Sequence, residues 1–217
     1  MTVSLKLRAG ANDVAAVTTL TQVDSATSTD ATITVPASVV EGDILVLVDM
    51  AISLFSSPSK VVPGDFTEVR SEVILASNIG VRLTTSVKLA TSSDGGTSKT
   101  GQDGGYWDNK IMCVYRGDIP VTSITVGATN GQATGGDPSS QTVLSGAGTP
   151  PLVVIGAYGC NGTTNPRTMS PAKDGEANSG QCYQAWKIYN SSPANVSVDM
   201  DDEGNQNAII STFIEAS

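Results

Sequence analysis

At 217 residues and 22.2 kDa the chain has room for one large domain or two small ones. Its 12 Lys and Arg against 21 Asp and Glu leave a net charge of −9, which argues against nucleic acid as a partner, because phosphate binding needs clustered cations. Histidine is absent, so Ser-His-Asp, Cys-His and His-ligated metal mechanisms are excluded.

In chain order the periodicity is β nearly throughout. Thr2 to Leu7 alternates apolar and polar residues, and the N-terminal MTVSLKLRAGANDV lacks the apolar run of a signal peptide. Residues 1–30 read as an N-terminal strand or arm, with a strand over Val14 to Val23; Ala11 to Leu20, the one stretch ambiguous with helix, is Val- and Thr-rich, which weighs toward strand. Thr32 to Val35 follows, closed by Pro36. Ile44 to Val48 is a continuous apolar run, the signature of a strand buried on both faces and central in its sheet. The wider stretch to Phe55 is broken by Asp49 and too short to span a bilayer, so no membrane insertion is expected. Phe66 to Leu75 and Val81 to Leu89 flank Ser77-Asn78-Ile79-Gly80, a turn suited to a hairpin. Lys110 to Tyr115, Val121 to Val126, Leu152 to Tyr158, Cys182 to Tyr189, Val196 to Met200 and Ala208 to Ile214 complete the strands. Helical periodicity with caps is missing, and no internal repeat is visible. The fold class is all-β: a single antiparallel β-sandwich over 1–217, jelly-roll-like, with long Gly/Ser/Thr-rich loops.

Three of those loops are long enough to be functional: Thr91 to Asn109, Gly127 to Pro151 and Asn161 to Gln181. Their Gly, Pro and Asn content implies little contribution to the core, so shortening Thr91–Asn109 should leave stability nearly intact. Tyr106 and Trp107 lie in the first loop. They are either an anchor for a ligand or partner or a hydrophobic lid over the sandwich. Trp186, between Tyr183 and Tyr189, reads as core. The segment GGTSKT lacks the Gly before Lys99 that a phosphate loop requires.

Asp199, Asp201, Asp202 and Glu203 run into Gly204 like the opening of a calcium loop. The twelfth position is Ile210, so the bidentate Glu is missing and the default is a solvated turn. No metal or other cofactor is expected; Asp199, Asp201 and Glu203 would be the ligands if calcium bound. Cys113, Cys160 and Cys182 read as buried thiols, with a Cys160–Cys182 bridge left open. Glycoside chemistry needs two facing carboxylates, and Asp24, Asp30, Asp43, Asp49 and Glu68 cannot be paired from sequence. Asp49 is the carboxylate expected to be buried, with Arg82 or a backbone amide as partner. The chain does not read as an enzyme.

The segments Ile33-Thr34-Val35-Pro36-Ala37, Gly42-Asp43-Ile44-Leu45-Val46, Gly64-Asp65-Phe66-Thr67-Glu68-Val69, Val87-Lys88-Leu89-Ala90 and Val114-Tyr115-Arg116-Gly117 occur in that order. Together, from Thr32 to Gly127, they resemble a β-sandwich domain of structural or tail-associated virion proteins in tailed bacteriophages and prophages. Where that pattern carries Trp before Thr, this chain has Phe66. The resemblance implies a non-enzymatic virion component, assembled in the bacterial host cytoplasm and exposed as a head decoration, spike or tail-fibre element. Other capsid or tail proteins, further copies of the chain and a host surface glycan are the implied partners. The alternative is a carbohydrate-binding β-sandwich module contacting host glycans through its loop aromatics.

Overall fold

The computed structural model describes residues 16–134, 141–143, 148–162, 169–170, 172–191, 198–200 and 207–217. The expected strand at Thr2 to Leu7 lies outside them. The first half of the chain supplies Leu20–Ser28 (β1), Thr32–Thr34 (β2), Ile44–Leu54 (β3), Thr67–Ala76 (β4), Ile79–Leu89 (β5), Ser98–Thr100 (β6) and Trp107–Gly117 (β7). The second half supplies Ile124–Thr134 (β8), Gln141–Val143 (β9), Leu152–Cys160 (β10), Met169–Ser170 (β11), Gly175–Ser179 (β12), Cys182–Tyr189 (β13), Val198–Met200 (β14) and Asn207–Ala216 (β15). Among the described residues there is no helix.

Two antiparallel five-stranded sheets form the sandwich. Their orders are β1-β7-β3-β5-β4 and β8-β15-β10-β13-β12. Strand for strand, these are the same topology, and each sheet comes from one contiguous half of the chain. The short strands repeat it too: β2 pairs with β6 in the first half, and β9 with β14 in the second, where β11 is an addition. A structural repeat is therefore present where the sequence displays none. What the halves share is the spacing of apolar runs and turns, and the sheet accepts any side chains that satisfy it.

Three apolar clusters follow from this layering. Between the sheets, Val46, Val48, Met50 and Ile52 of β3 belong to one cluster with Val153, Ile155 and Ala157 of β10. The alternate residues of β3, Leu45 and Leu47, face outward and are covered by Ile33, Val35 and Phe66. Outside the second sheet, Val154 and Tyr158 pack with Met169 and Phe213. β3 and β10 are thus buried on both faces, which is why each reads as an unbroken apolar run. Ile44–Val48 is central in its sheet, as expected.

β4 and β5 are joined by Ser77 and Asn78, both at positive φ (50° and 65°), the two-residue turn whose twist suits a hairpin. In the second half, Gly180 and Gln181 join β12 to β13 in the same place. The loops differ from expectation. Gly127 to Thr134 continues β8, Gly175 to Ser179 forms the edge strand β12, and Ser98 to Thr100 forms β6. Edge strands need no alternating apolar face to be held by backbone pairing, so their polar sequences resemble loops. β1 also begins later than expected, at Leu20.

The pieces of the virion-protein resemblance converge in the first half. Arg116 grips Asp43 with two hydrogen bonds, Nε to Oδ1 at 2.7 Å and Nη2 to Oδ2 at 2.8 Å. Lys88 bonds Asp65 at 2.6 Å, and the Ala90 amide donates to the Asp43 carbonyl at 2.7 Å. Gly42 sits at φ 85°, where an added Cβ would meet Pro120 at 2.8 Å. These residues are scaffold.

Candidate functional site

Strand register fixes what gathers at each pole of the sandwich. Ile52 pairs with Trp107 and Leu54 with Ile79, so the ends of β3 and β4 and the starts of β5 and β7 share one pole. Exposed there are Leu54, Phe55, Leu75, Tyr106 and Trp107, with Phe55 the most open at 76%. Phe55 stands at φ 62°, an unusual conformation for a bulky residue, held by its amide donating to the Asn78 carbonyl at 2.6 Å. The Tyr106 and Trp107 rings touch, with centroids 4.3 Å apart and planes tilted by 42°. At 45% and 42% exposed, they are not a lid. Trp186 is core, edge-on to Tyr115 at 6.1 Å.

A cleft of about 460 Å³ opens between the sheets at this pole. Its walls are Thr29 beyond β1, Trp107, Asp108 and Asn109 at the start of β7, Gly162 beyond β10, and the Gly180–Gln181 turn. Asn109 is 4% exposed, and its amide lies where a Cβ on Gly180 would be, 2.2 Å from Oδ1. Only glycine lets the turn come so close. Asp108 accepts a hydrogen bond from the Gly104 amide at 2.8 Å. Sequence reasoning singled out Trp107 in this group. Asn109 sits two residues away in plain view, whereas Thr29 and Gln181 carry no local signal and are brought in by topology.

Beneath the segment after β6 is a second polar group, sealed from solvent. Asp49 faces Lys110 across β3 and β7, with Nζ 3.0 Å from Oδ1, a charge contact without hydrogen-bond alignment. Oδ2 accepts from the Gln102 amide at 2.7 Å, and Lys110 Nζ donates to the Gln102 carbonyl at 2.8 Å. Burial pushes the Asp49 carboxyl up to about 6, against the pull of Lys110 and the Gln102 hydrogen bond. Asp49 is buried as expected, but its charged partner is Lys110, not Arg82. Arg82 instead donates to the Pro58 carbonyl at 2.8 Å and to Ser71 at 3.0 Å. The pairing arises because Asp49 and Lys110 occupy the same register on adjacent strands, while Arg82 lies two residues along, opposite Ala51.

Close by, Asp94 receives Lys88, Lys99 at 3.0 Å and both donors of Thr91 at 2.8 Å. Lys99 of the GGTSKT segment is thereby committed to an ion cluster with Asp94 and Asp65. Burial of Asp94 opposes its charge, yet these donors outweigh it and hold its carboxyl well below the usual range. Asp94 and Gln102 are both buried, which corrects the expectation that Thr91–Asn109 adds little to the core.

The three cysteines form no disulfide and are buried. Cys182 pairs in register with Gly159, so it faces the core between the sheets, while Cys160 points to the opposite face. A bridge between them is ruled out by that alternation. Burial pushes the Cys113 thiol up to about 12 and that of Cys182 higher still. Neither is a nucleophile near neutral pH. Of the carboxylates weighed for glycoside chemistry, Asp43 is held by Arg116, Asp49 by Lys110 and Glu68 by Lys60 at 2.8 Å. Asp24 accepts from Ser38. No facing pair across the cleft is formed by these groups. Asp199 lies in β14 opposite Thr142, while Asp201 and Glu203 lie outside the described residues. Among the described residues no cluster of three metal-binding side chains occurs.

No protein-family profile, curated protein or solved structure matches this chain.

Proposed function

We propose that the chain is a non-enzymatic structural protein of a tailed-phage particle, displayed on the head or tail, with one pole of the sandwich as its contact face. The observation that carries this reading is the concentration of Leu54, Phe55, Leu75, Tyr106 and Trp107, all more than 40% exposed, at a single pole. Clustered exposed aromatics are what an interaction site offers, since rigid rings give large contact area for little lost freedom. The resemblance of five scaffold segments to virion-protein domains, and the engagement of Asp43 and Asp49 in structural ion pairs with the thiols buried, support a carrier role over a catalytic one. A host glycan or a neighbouring virion protein is the partner this pole would meet.

Mass spectrometry of purified particles tests the reading. Detection of the chain at many copies per particle is expected for a head decoration, and at a few copies for a tail-fibre element. Its absence from particles that other virion proteins populate overturns the proposal.

A further inference from the structure

We infer that the cleft between the sheets is a binding subsite for a neutral saccharide, with Trp107 as the stacking platform and Asn109 as the principal hydrogen-bonding group. Three features of the cleft converge on that ligand class.

The first is a buried amide in the cleft wall. Asn109 is 4% exposed and lines the cleft. An amide held in a cleft wall is completed by what enters the cleft, a ligand or water. The Gln181 amide and the Thr29 hydroxyl line the same cleft. Amides and a hydroxyl both donate and accept, which matches the alternating donor and acceptor character of sugar hydroxyls.

The second is the indole. Trp107 is 42% exposed at the cleft wall and braced by Tyr106. One flat apolar face among polar groups suits a pyranose, which presents axial C–H groups on one side and hydroxyls around its rim. At about 460 Å³ the cleft has room for a short oligosaccharide segment.

The third is charge. Among the described residues Asp108 is the only charged side chain in the wall, and the chain carries net −9. An acidic glycan would meet repulsion there. The ligand is therefore a neutral glycan, with Asp108 accepting from its hydroxyls.

This inference stands apart from carriage on a particle, since it is read on the purified full-length chain. Maltotriose, cellotriose, chitotriose, mannotriose and trigalacturonate are each titrated while tryptophan fluorescence and calorimetric heat are followed. Saturable binding of at least one neutral trisaccharide and none of trigalacturonate is expected. Trp107→Ala should weaken it at least about tenfold, and Asn109→Ala by a similar factor, as removal of an anchor does. Because Asn109 is buried, Trp107→Phe serves as a second variant that keeps a ring in place: it should retain the fold, lose the fluorescence response and bind more weakly. Binding of none of the neutral sugars, preference for trigalacturonate, or binding indifferent to Trp107→Ala and Trp107→Phe overturns the inference.

Discussion

Lys110 and Asp49 are both buried, and each makes the other tolerable. Removing one partner from such a pair strands a charge, which typically costs about 3–5 kcal/mol. Lys110→Met should therefore destabilise the fold by that order in urea unfolding, and the loss should shrink as pH falls and Asp49 takes up a proton. The titration has two opposing parts. The Asp49 carboxyl is raised to about 6 in the fold from an ordinary 3.8, so its contribution is fully present below that ordinary value and is lost as pH rises through about 6. Asp94 and Asp65 are shifted downward: burial opposes their charge, but Lys88 and Lys99 outweigh it. Their contribution is present above the ordinary carboxylate range and is lost as pH falls. Stability measured by chemical unfolding should thus rise slightly from neutral pH toward about pH 4–5 and drop below it. A profile that falls steadily from pH 7 downward would mean that Asp49 does not retain its raised value.

At the scale of elements, the stretch from Thr91 to Tyr106 behaves as a strap. It contributes β6, the Asp94 cluster and Gln102, and two of its glycines, Gly101 and Gly104, lie directly on β3. A Cβ on Gly101 would sit 2.0 Å from Asp49 Oδ2, and one on Gly104 2.1 Å from the Ile52 carbonyl oxygen. Gly101→Ala and Gly104→Ala should each cost about 1–3 kcal/mol, the usual penalty of overpacking, read as a lower melting temperature. Replacing the whole strap by a tight turn should unfold the first half, because it exposes Lys110 and Asp49 together. Wild-type melting of that deletion would show that the strap is dispensable.

Why the strap escaped the sequence is physical. Thr, Ser, Gly and Asp compose both solvent loops and segments pressed flat on a sheet, and composition does not distinguish them. β3 and the Ser77–Asn78 hairpin were legible because an unbroken apolar run and a turn-forming pair each have few structural solutions. The burial of Asp49 was legible from its apolar neighbours; its partner was not, since register between β3 and β7 is set by tertiary pairing. Trp107 could be read as an exposed aromatic in a polar loop. The cleft beside it could not, because Thr29 and Gln181 reach it from strands far apart in sequence.

For the whole molecule, each half of the chain builds one sheet and its own outer covering, and the two share the core between them. A half expressed alone would present Val46, Val48, Met50, Ile52, Leu83 and Ile111 to water. Residues 16–119 alone should therefore self-associate or fail to fold, as light scattering and circular dichroism would show. A folded monomer would mean that the outer covering suffices. A rigid body of two fused halves also explains why contact is assigned to a pole: both broad faces carry covering strands, leaving the sheet ends open.

Hydrogen exchange on the chain, free and within the particle, tests that assignment directly. Added protection is expected at Leu54–Phe55, Ser77–Asn78, Tyr106–Asn109 and Gly180–Gln181, the segments that share the cleft pole. Protection spread over β2 and β6 instead, with the pole unchanged, would contradict it.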